Sequence, residues 1–436
     1  MHHISVANSG TADGPGRPAS RPDRPAYDHQ LLLLDAESAA ELRSRIACLT
    51  DLVQGRASGG LGDLAVTAQR GLADLPIRAA VVAASTDQAA GRLTRLAVML
   101  DRDACPVVDV TGGIFAGQPD GRPAIGYLFP GQGSGKGTDG GAITARFETV
   151  RDLYPEAAMP ADEDPAATNV AQPRIVASSA AGLRVLSMLG IEAAAAVGHS
   201  LGELTALHWA GALSEPALLA LAAARGQIMA DASEGRGAMV GIAAGPAAIE
   251  PLLAGEPVVI AGYNGPAQTV VAGPADAVAR VQRAAAAANL KAARIRVSDA
   301  FHSQAMAPAA TGLGAYLTSL RFRPLERRVL STVTGDALAP DADLRQLLVR
   351  QLCEPVRFRQ ALDRMAAEVS LLIEVGPGRV LSGLAAAICP AVPVVSLATD
   401  SASLVGVLRA VAAAYVLGAP VRHDPLFTAL PDHGDA

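Results

Sequence analysis

Residues 193–209 read AAAAVGHSLGELTALHW. AAAAV has the length and apolar character of a buried strand, and ELTALHW spaces its apolar residues as a helix does. Between them stands Gly198-His199-Ser200-Leu201-Gly202, a G-x-S-x-G sequence. Such a serine occupies a sharp strand-to-helix turn, and the flanking glycines relieve the crowding there. The helix start also aims its N–H dipoles at the serine, which favours a developing oxyanion. The motif alone is weakly specific, and an ordinary turn with a capping serine is the structural alternative. The strand and helix around it give it force. A strand that feeds a helix in this way belongs to a parallel sheet with both faces covered.

Working outward, the strand AIGYLFP opens this unit and runs into a glycine loop, Gly131-Gln132-Gly133-Ser134-Gly135. A long apolar helix follows the elbow from Pro216 to Met229. RRVLSTVTG, LLIEVG and PVVSLA read as further strands, with DLRQLLVRQLC and FRQALDRMAAE as helices. Residues 237–298 have another rhythm, β-α-β-β-α-β, which is the ferredoxin-like pattern. Upstream, LLLLDAES begins a small β-α-α-β-α unit that leaves through the Gly/Pro-rich TGGIFAGQPDGRP. Residues 1–28 are rich in Pro, Gly, Ser and Asp and read as a disordered linker. The helix SLVGVLRAVAAAYVLG closes the fold, and the polar tail HDPLFTALPDHGDA is expected over the surface.

The 436 residues suggest two or three compact units, since single cores seldom exceed about 250–300 residues. Half the residues are hydrophobic, enough for a large core, and abundant alanine favours close helix-on-sheet packing. No apolar run is long enough to span a bilayer and the amino terminus has no apolar signal core, so a cytoplasmic protein without a membrane partner is expected. Net charge is −6 and the basic residues are dispersed, with only Lys136 and Lys291 as lysines, which argues against nucleic acid. Cys48, Cys105, Cys353 and Cys389 lie far apart, without CxxC or Cys/His pairs; free thiols and no metal site follow.

A nucleophilic serine needs a base. Of eight histidines, His2, His3, His29, His423 and His433 lie in or near the polar ends. His208 is inside the helix after the elbow, where it packs, and His199 adjoins the serine with a backbone that aims its ring elsewhere. His302 remains, in Asp299-Ala300-Phe301-His302-Ser303, a loop just after a strand, where catalytic groups gather. The glycine loop fits neither phosphate-binding pattern: Pro130 and Gly137 break one, Lys136 the other. It can instead bring a backbone N–H to the reacting carbonyl as a second oxyanion donor. Arg225 sits in ALLALAAARGQIM, with no acid three or four residues away. A buried guanidinium is costly unless paired, and a substrate carboxylate would suit its planar fork. The alternative is an arginine that snorkels to the surface.

With these residues placed, the chain resembles the acyltransferase domains of type I polyketide synthases and, more broadly, malonyl-CoA:acyl-carrier-protein transacylases. The matching segments, in order, are FPGQGS, QPRIVASSAAGLRVL, AVGHSLGELTAL, RGQIM, YNGPAQTVVAG, AFHS, VRQLCEPVRF and EVGPGRVLSGL. GELTALHWAGAL and STVTG resemble iterative synthases of the enediyne type. The resemblance implies an α/β fold: an α/β-hydrolase-like parallel-sheet core at 122–236 and 299–396, with the ferredoxin-like subdomain at 237–298 inserted. A small α/β ketosynthase-to-acyltransferase adapter at 29–121 precedes it, and 397–436 forms a C-terminal helix and linker. It further implies Ser200 as nucleophile and His302 as general base, with Gln132 and Leu201 giving the oxyanion hole through backbone N–H groups. Arg225 would bind the malonyl carboxylate, and the backbone carbonyl of Gln351 would orient the histidine. Asn264, Gln268 and His199 match polar neighbours of the cleft. Phe301 and Asp299 occupy the positions that track extender choice; phenylalanine accompanies malonyl, its bulk filling the space an α-methyl needs. Two departures stand out: Asp299 where malonyl-specific domains have histidine, and Gly135 where glutamine is common.

The expected reaction is a ping-pong transfer of malonyl from coenzyme A through an acyl-serine to the phosphopantetheine thiol of an acyl carrier protein. No tightly bound cofactor is implied, and a neighbouring ketosynthase is an expected partner. Two other readings remain open: an esterase or thioesterase, in which water is the acceptor, and an idle carrier-docking module. Acyl-enzyme lifetime without carrier separates the first, and protein mass after malonyl-CoA exposure the second.

Overall fold

A computed structural model of the chain describes residues 28–55, 60–101, 106–137, 139–157, 164–297 and 299–427. Nearly all of the segment read as a linker therefore lies outside the described residues. Among the described residues, thirteen strands form three sheets.

The first sheet is antiparallel, in the order β1 (Gln30–Ala36), β2 (Ile77–Ala83), β4 (Ile114–Gly117), β3 (Val107–Asp109). Successive side chains alternate in facing, and both faces are apolar here. Leu32, Val81 and Ile114 pack with Leu42, Ile46 and Leu93 of the helices Ala39–Gly55 and Thr86–Asp101. Leu31, Leu33, Val82 and Phe115 join the main core, where they share a cluster with Val407, Val411 and Val416 of the helix Val405–Val416. The Gly/Pro-rich exit expected at TGGIFAGQPDGRP is instead partly a strand. β4 is edged by glycines because backbone crowds it: a Cβ on Gly117 would lie 2.2 Å from the Val416 carbonyl oxygen. The tail also differs from expectation. Residues Asp424–Phe427 form a short helix, and Leu426 is buried in the main core.

The second sheet is fully parallel, in the order β11 (Arg328–Leu330), β6 (Ala195–Gly198), β5 (Ile125–Phe129), β12 (Leu371–Glu374), β13 (Val394–Ser396). Its short, mostly apolar and buried strands suit a sheet covered on both faces. β5 and β6 are neighbours, so the loops that leave their carboxyl ends, carrying Gln132 and Ser200, start side by side. Loops at that edge of an open α/β sheet are where ligands bind.

The third sheet is antiparallel, in the order β10 (Ala292–Arg294), β7 (Gly237–Ile242), β9 (Gln268–Pro274), β8 (Val259–Gly265). Ala238 and Val240 of β7 pack with Val278 and Val281 of the helix Ala275–Ala287. The alternate positions Met239 and Gly241 face a cavity shared with the parallel sheet.

Candidate active site

β6 ends at Gly198 and the helix Gly202–Trp209 begins four residues later. The turn is so tight that a Cβ on Gly198 would lie 2.3 Å from the Glu203 nitrogen, and one on Gly202 2.0 Å from the Phe129 carbonyl oxygen. Ser200, at its tip, has φ +51°, a left-handed conformation that a residue with a side chain keeps only where its surroundings impose it. Ser200 and His302 both line a cavity of about 600 Å³ between the parallel sheet and the third sheet.

The Ser200 hydroxyl lies 2.9 Å from His302 Nε2. His302 is itself in the left-handed region, at φ +61°, and its backbone N–H donates to the Leu352 carbonyl. Its Nδ1 lies 2.9 Å from the Gln351 carbonyl oxygen and 3.1 Å from that of Glu354. Carbonyls only accept, so Nδ1 carries the proton and Nε2 is the bare nitrogen that accepts from Ser200. Burial, then the positive charge of Arg225, then His199, push the imidazole pKa down to about 4. The ring is therefore neutral at pH 7 and ready to take a proton.

Leu201 follows Ser200 at the start of the helix, and Gln132 lies in the glycine loop. That loop presses on the elbow: a Cβ on Gly131 would lie 2.5 Å from the His199 carbonyl oxygen. Among the described residues the backbone N–H groups of Gln132 and Leu201 have no hydrogen-bond partner. Two free donors beside a nucleophile can hold an oxyanion.

Beside the elbow lies a buried polar layer. Arg225 does not snorkel; it is 2% exposed. It donates through Nη1 to Gln172 Oε1 at 2.7 Å and through Nη2 to Gln351 Oε1 at 3.2 Å. Its Nε has no partner. The Gln351 amide in turn donates to the Ser200 carbonyl at 3.0 Å and to Glu203 Oε2 at 3.1 Å. Gln351 thus touches Ser200, His302 and the Arg225 guanidinium at once. Neither Arg225 nor Gln351 is part of the cavity wall; both lie behind it, with Gln351 bonded to the Ser200 carbonyl. Sequence reasoning missed Glu203 and Gln172. Glu203 is fully buried, and burial raises its carboxyl to about 7 against the hydrogen bonds it accepts. An acid in the first turn of a helix reads as a dipole-favoured surface residue, so nothing local signals its burial.

The remaining expected residues divide. His199 does not face Ser200; its Nε2 donates to Asn264 Oδ1 at 2.9 Å and so links the elbow to β8. Burial lowers the His199 pKa and keeps the ring neutral. Asn264, Gln268, His199 and Phe301 all line the cavity. Asp299 does not: its carboxylate accepts a hydrogen bond from the Ser233 hydroxyl, away from the cavity wall. Among the described residues no group of three or more His, Cys, Asp or Glu side chains could hold a metal, and Cys48, Cys353 and Cys389 are unbridged. Among them also, no helix is long and apolar enough to cross a membrane.

A serine on a forced turn, a neutral imidazole behind it and free N–H groups beside it form a site suited to moving acyl groups through an ester. The family model described as acyl transferase domain matches residues 146–410, more than half of the chain, and the chain belongs to that family. It is an acyltransferase. It is 34% identical over 281 residues to the malonyl CoA-acyl carrier protein transacylase of Bacillus subtilis, covering 60% of this chain and 89% of that protein. It is 33% identical over 335 residues to polyketide synthase GfsB of Streptomyces halstedii, covering 70% of this chain but only 6% of that synthase. Among solved structures it resembles the acyltransferase domain of an iterative polyketide synthase in enediyne biosynthesis. The identity there is 38% and the TM-score 0.79, over 92% of this chain and 99% of that one.

Proposed function

We propose that this chain transfers malonyl from malonyl-CoA to the phosphopantetheine thiol of an acyl carrier protein, as the acyltransferase part of a polyketide synthase of the enediyne-like iterative kind. The observation that carries the reading is the 2.9 Å contact between Ser200 Oγ and a His302 whose Nδ1–H is held by backbone carbonyls. His302 Nε2 takes the hydroxyl proton as Ser200 attacks the thioester carbonyl. The oxyanion rests on the Gln132 and Leu201 N–H groups, each worth about 3–4 kcal/mol in comparable sites. The intermediate collapses, the C–S bond breaks, and the departing coenzyme A thiolate takes the proton from His302, which leaves the ring neutral again. The carrier thiol then gives its proton to His302 and attacks the malonyl-serine ester, and Ser200 recovers its own.

Arg225 receives the malonyl carboxylate. Its Nε is free, and a carboxylate displaces a neutral glutamine amide because hydrogen bonds between ions are roughly twice as strong. Phe301, on the cavity wall, selects against an α-methyl. In domain terms, 122–236 and 299–396 form an α/β-hydrolase-like core. Residues 237–298 form a ferredoxin-like subdomain, a reading supported by the antiparallel order β10-β7-β9-β8. Residues 29–121 serve as adapter to a neighbouring ketosynthase, and 397–436 are the helix and linker that follow. A cytoplasmic location accords with this reading, since both substrates are water-soluble.

Intact-protein mass spectrometry after exposure to malonyl-CoA tests the proposal. A malonyl adduct should form on the native chain, be absent from Ser200→Ala and disappear when carrier protein with its phosphopantetheine arm is added. An adduct that persists in Ser200→Ala ends the assignment. An adduct lost to water as fast as to carrier makes the chain a hydrolase.

A further inference from the structure

The glycine loop that carries Gln132 is gripped from two sides by opposite charges. On one side, Asp400 Oδ2 accepts the backbone N–H of Lys136 at 2.9 Å and of Gly137 at 3.3 Å. Its other oxygen accepts the N–H of Gly378 at 2.8 Å, in the loop after β12. On the other side, the Arg174 guanidinium, 2% exposed, donates to the carbonyls of Ser134, Gly135 and Gly137 at 3.3–3.4 Å. The loop has therefore given its N–H groups to an anion and its C=O groups to a cation. Gly135 is what lets the two meet. It has φ +63°, and a Cβ there would lie 2.5 Å from both Asp400 Oδ2 and Pro377 Cβ.

From this geometry we infer that Asp400, from the segment after the parallel sheet, is a positioning residue for acyl transfer, and that it acts by fixing the loop whose Gln132 N–H holds the oxyanion. Gln132 is bracketed by Gly131, pressed on the His199 carbonyl, and by Ser134, whose carbonyl Arg174 holds. Burial opposes charge on Asp400, and the N–H donors of Lys136, Gly378 and Gly137 outweigh it, so its pKa stays below the ordinary range. The carboxylate is thus charged throughout the working pH range. The C-terminal segment belongs to the catalytic machinery rather than merely trailing it.

The inference rests on the malonyl-transfer reading, and the experiment separates the two. Single-turnover malonylation is measured by quenched-flow mass spectrometry for the native chain, Asp400→Ala and Asp400→Asn, together with steady-state KM and thermal melts. Displacing one oxyanion donor should slow acylation in Asp400→Ala by about 10- to 100-fold while KM for malonyl-CoA stays within about twofold. Asp400→Asn, which keeps one accepting oxygen, should fall between. If the native chain is never malonylated, the functional reading fails. If it is, and folded Asp400→Ala acylates within about threefold of it, the positioning role fails. Should the alanine variant not fold, the asparagine variant is judged by the same rate, and a lowered melting point with an unchanged rate per folded molecule also overturns the role.

Discussion

Arg225→Ala is the substitution that most directly probes how the site selects its substrate. The guanidinium is fully enclosed, and its two terminal nitrogens point at Gln172 Oε1 and Gln351 Oε1. A substrate carboxylate that replaces these neutral acceptors makes two hydrogen bonds between ions. At about 1.5–3 kcal/mol for each bond to a charged group, the pair contributes about 3–4 kcal/mol after the carboxylate gives up water. That energy is present in the transition state, so its loss should cut kcat/KM for malonyl-CoA by about 10²–10³. Acetyl-CoA has no carboxylate and should lose about tenfold at most, through the loosened Gln351. Truncation also leaves two buried amide oxygens unpaired, at about 1–3 kcal/mol each, offset by removing a guanidinium that burial already disfavours. Thiol release from the two thioesters, measured on protein shown by melting to be folded, reads the ratio. Equal losses for malonyl and acetyl would refute the reasoning and make Arg225 a scaffold for Gln351.

The pH profile and the cavity wall give two further tests. His302 works as a base only when neutral, and burial and Arg225 push its pKa down to about 4. In stopped-time assays kcat/KM should stay level from pH 8 to about pH 5 and fall on the acid side through about 4. A half-loss near 6.5, the ordinary histidine value, would contradict the buried, carbonyl-held ring. Folding stability carries the same sign: the unfolded ring takes its proton from about pH 6.5 downward and the folded one only near 4, so stability falls across that window. Phe301→Ser should raise the ratio of methylmalonyl to malonyl transfer by about tenfold or more, since a methyl group in a fitted pocket is worth about 1–3 kcal/mol. An unchanged ratio in competition with both thioesters would remove Phe301 from the selectivity account.

The elbow was legible because its constraints are local. Gly198 and Gly202 are required by backbone atoms within a few residues or on the neighbouring strand, and His302 could be singled out by where the other histidines lie. The buried polar layer was not legible. Glu203, Gln172 and Thr332, whose hydroxyl donates to Glu203 Oε2 at 3.1 Å, are ordinary at their own positions and become a network only when their three segments converge with those of Arg225 and Gln351. The strand pair at 107–117 was hidden for the opposite reason. Its glycines look like turn residues, yet Gly117 is there so that the helix ending at Val416 can lie against the sheet. For Asp299 a selectivity role is implied only by the family resemblance, and its contact with Ser233 could not be read from that loop alone. The glycine at 135, an unexplained departure in the sequence, is accounted for by Pro377 and Asp400, both far along the chain.

One choice in the site deserves a physical reason: the histidine is oriented by two backbone carbonyls and not by a carboxylate. A carboxylate at Nδ1 would stabilise the imidazolium and raise its pKa. Carbonyls orient the ring equally well and leave the pKa low, so His302 is a weaker base. The serine hydroxyl is then activated through its 2.9 Å contact with Nε2 and the nearby N–H donors, and on the proposed reading the other two reacting groups, leaving and attacking, are thiols. The leaving group of the first half-reaction and the attacker of the second each ionise near pKa 8.5, several units below an alcohol or an amine. The thiolate departs without a strong acid, and the carrier thiol is deprotonated without a strong base. Ester or amide hydrolysis has no such help, because water is a poor nucleophile that this base would activate poorly. On the proposed reading, the dyad held by Gln351 and Glu354 serves a thiol donor and a thiol acceptor, in a cavity whose remaining wall is largely apolar.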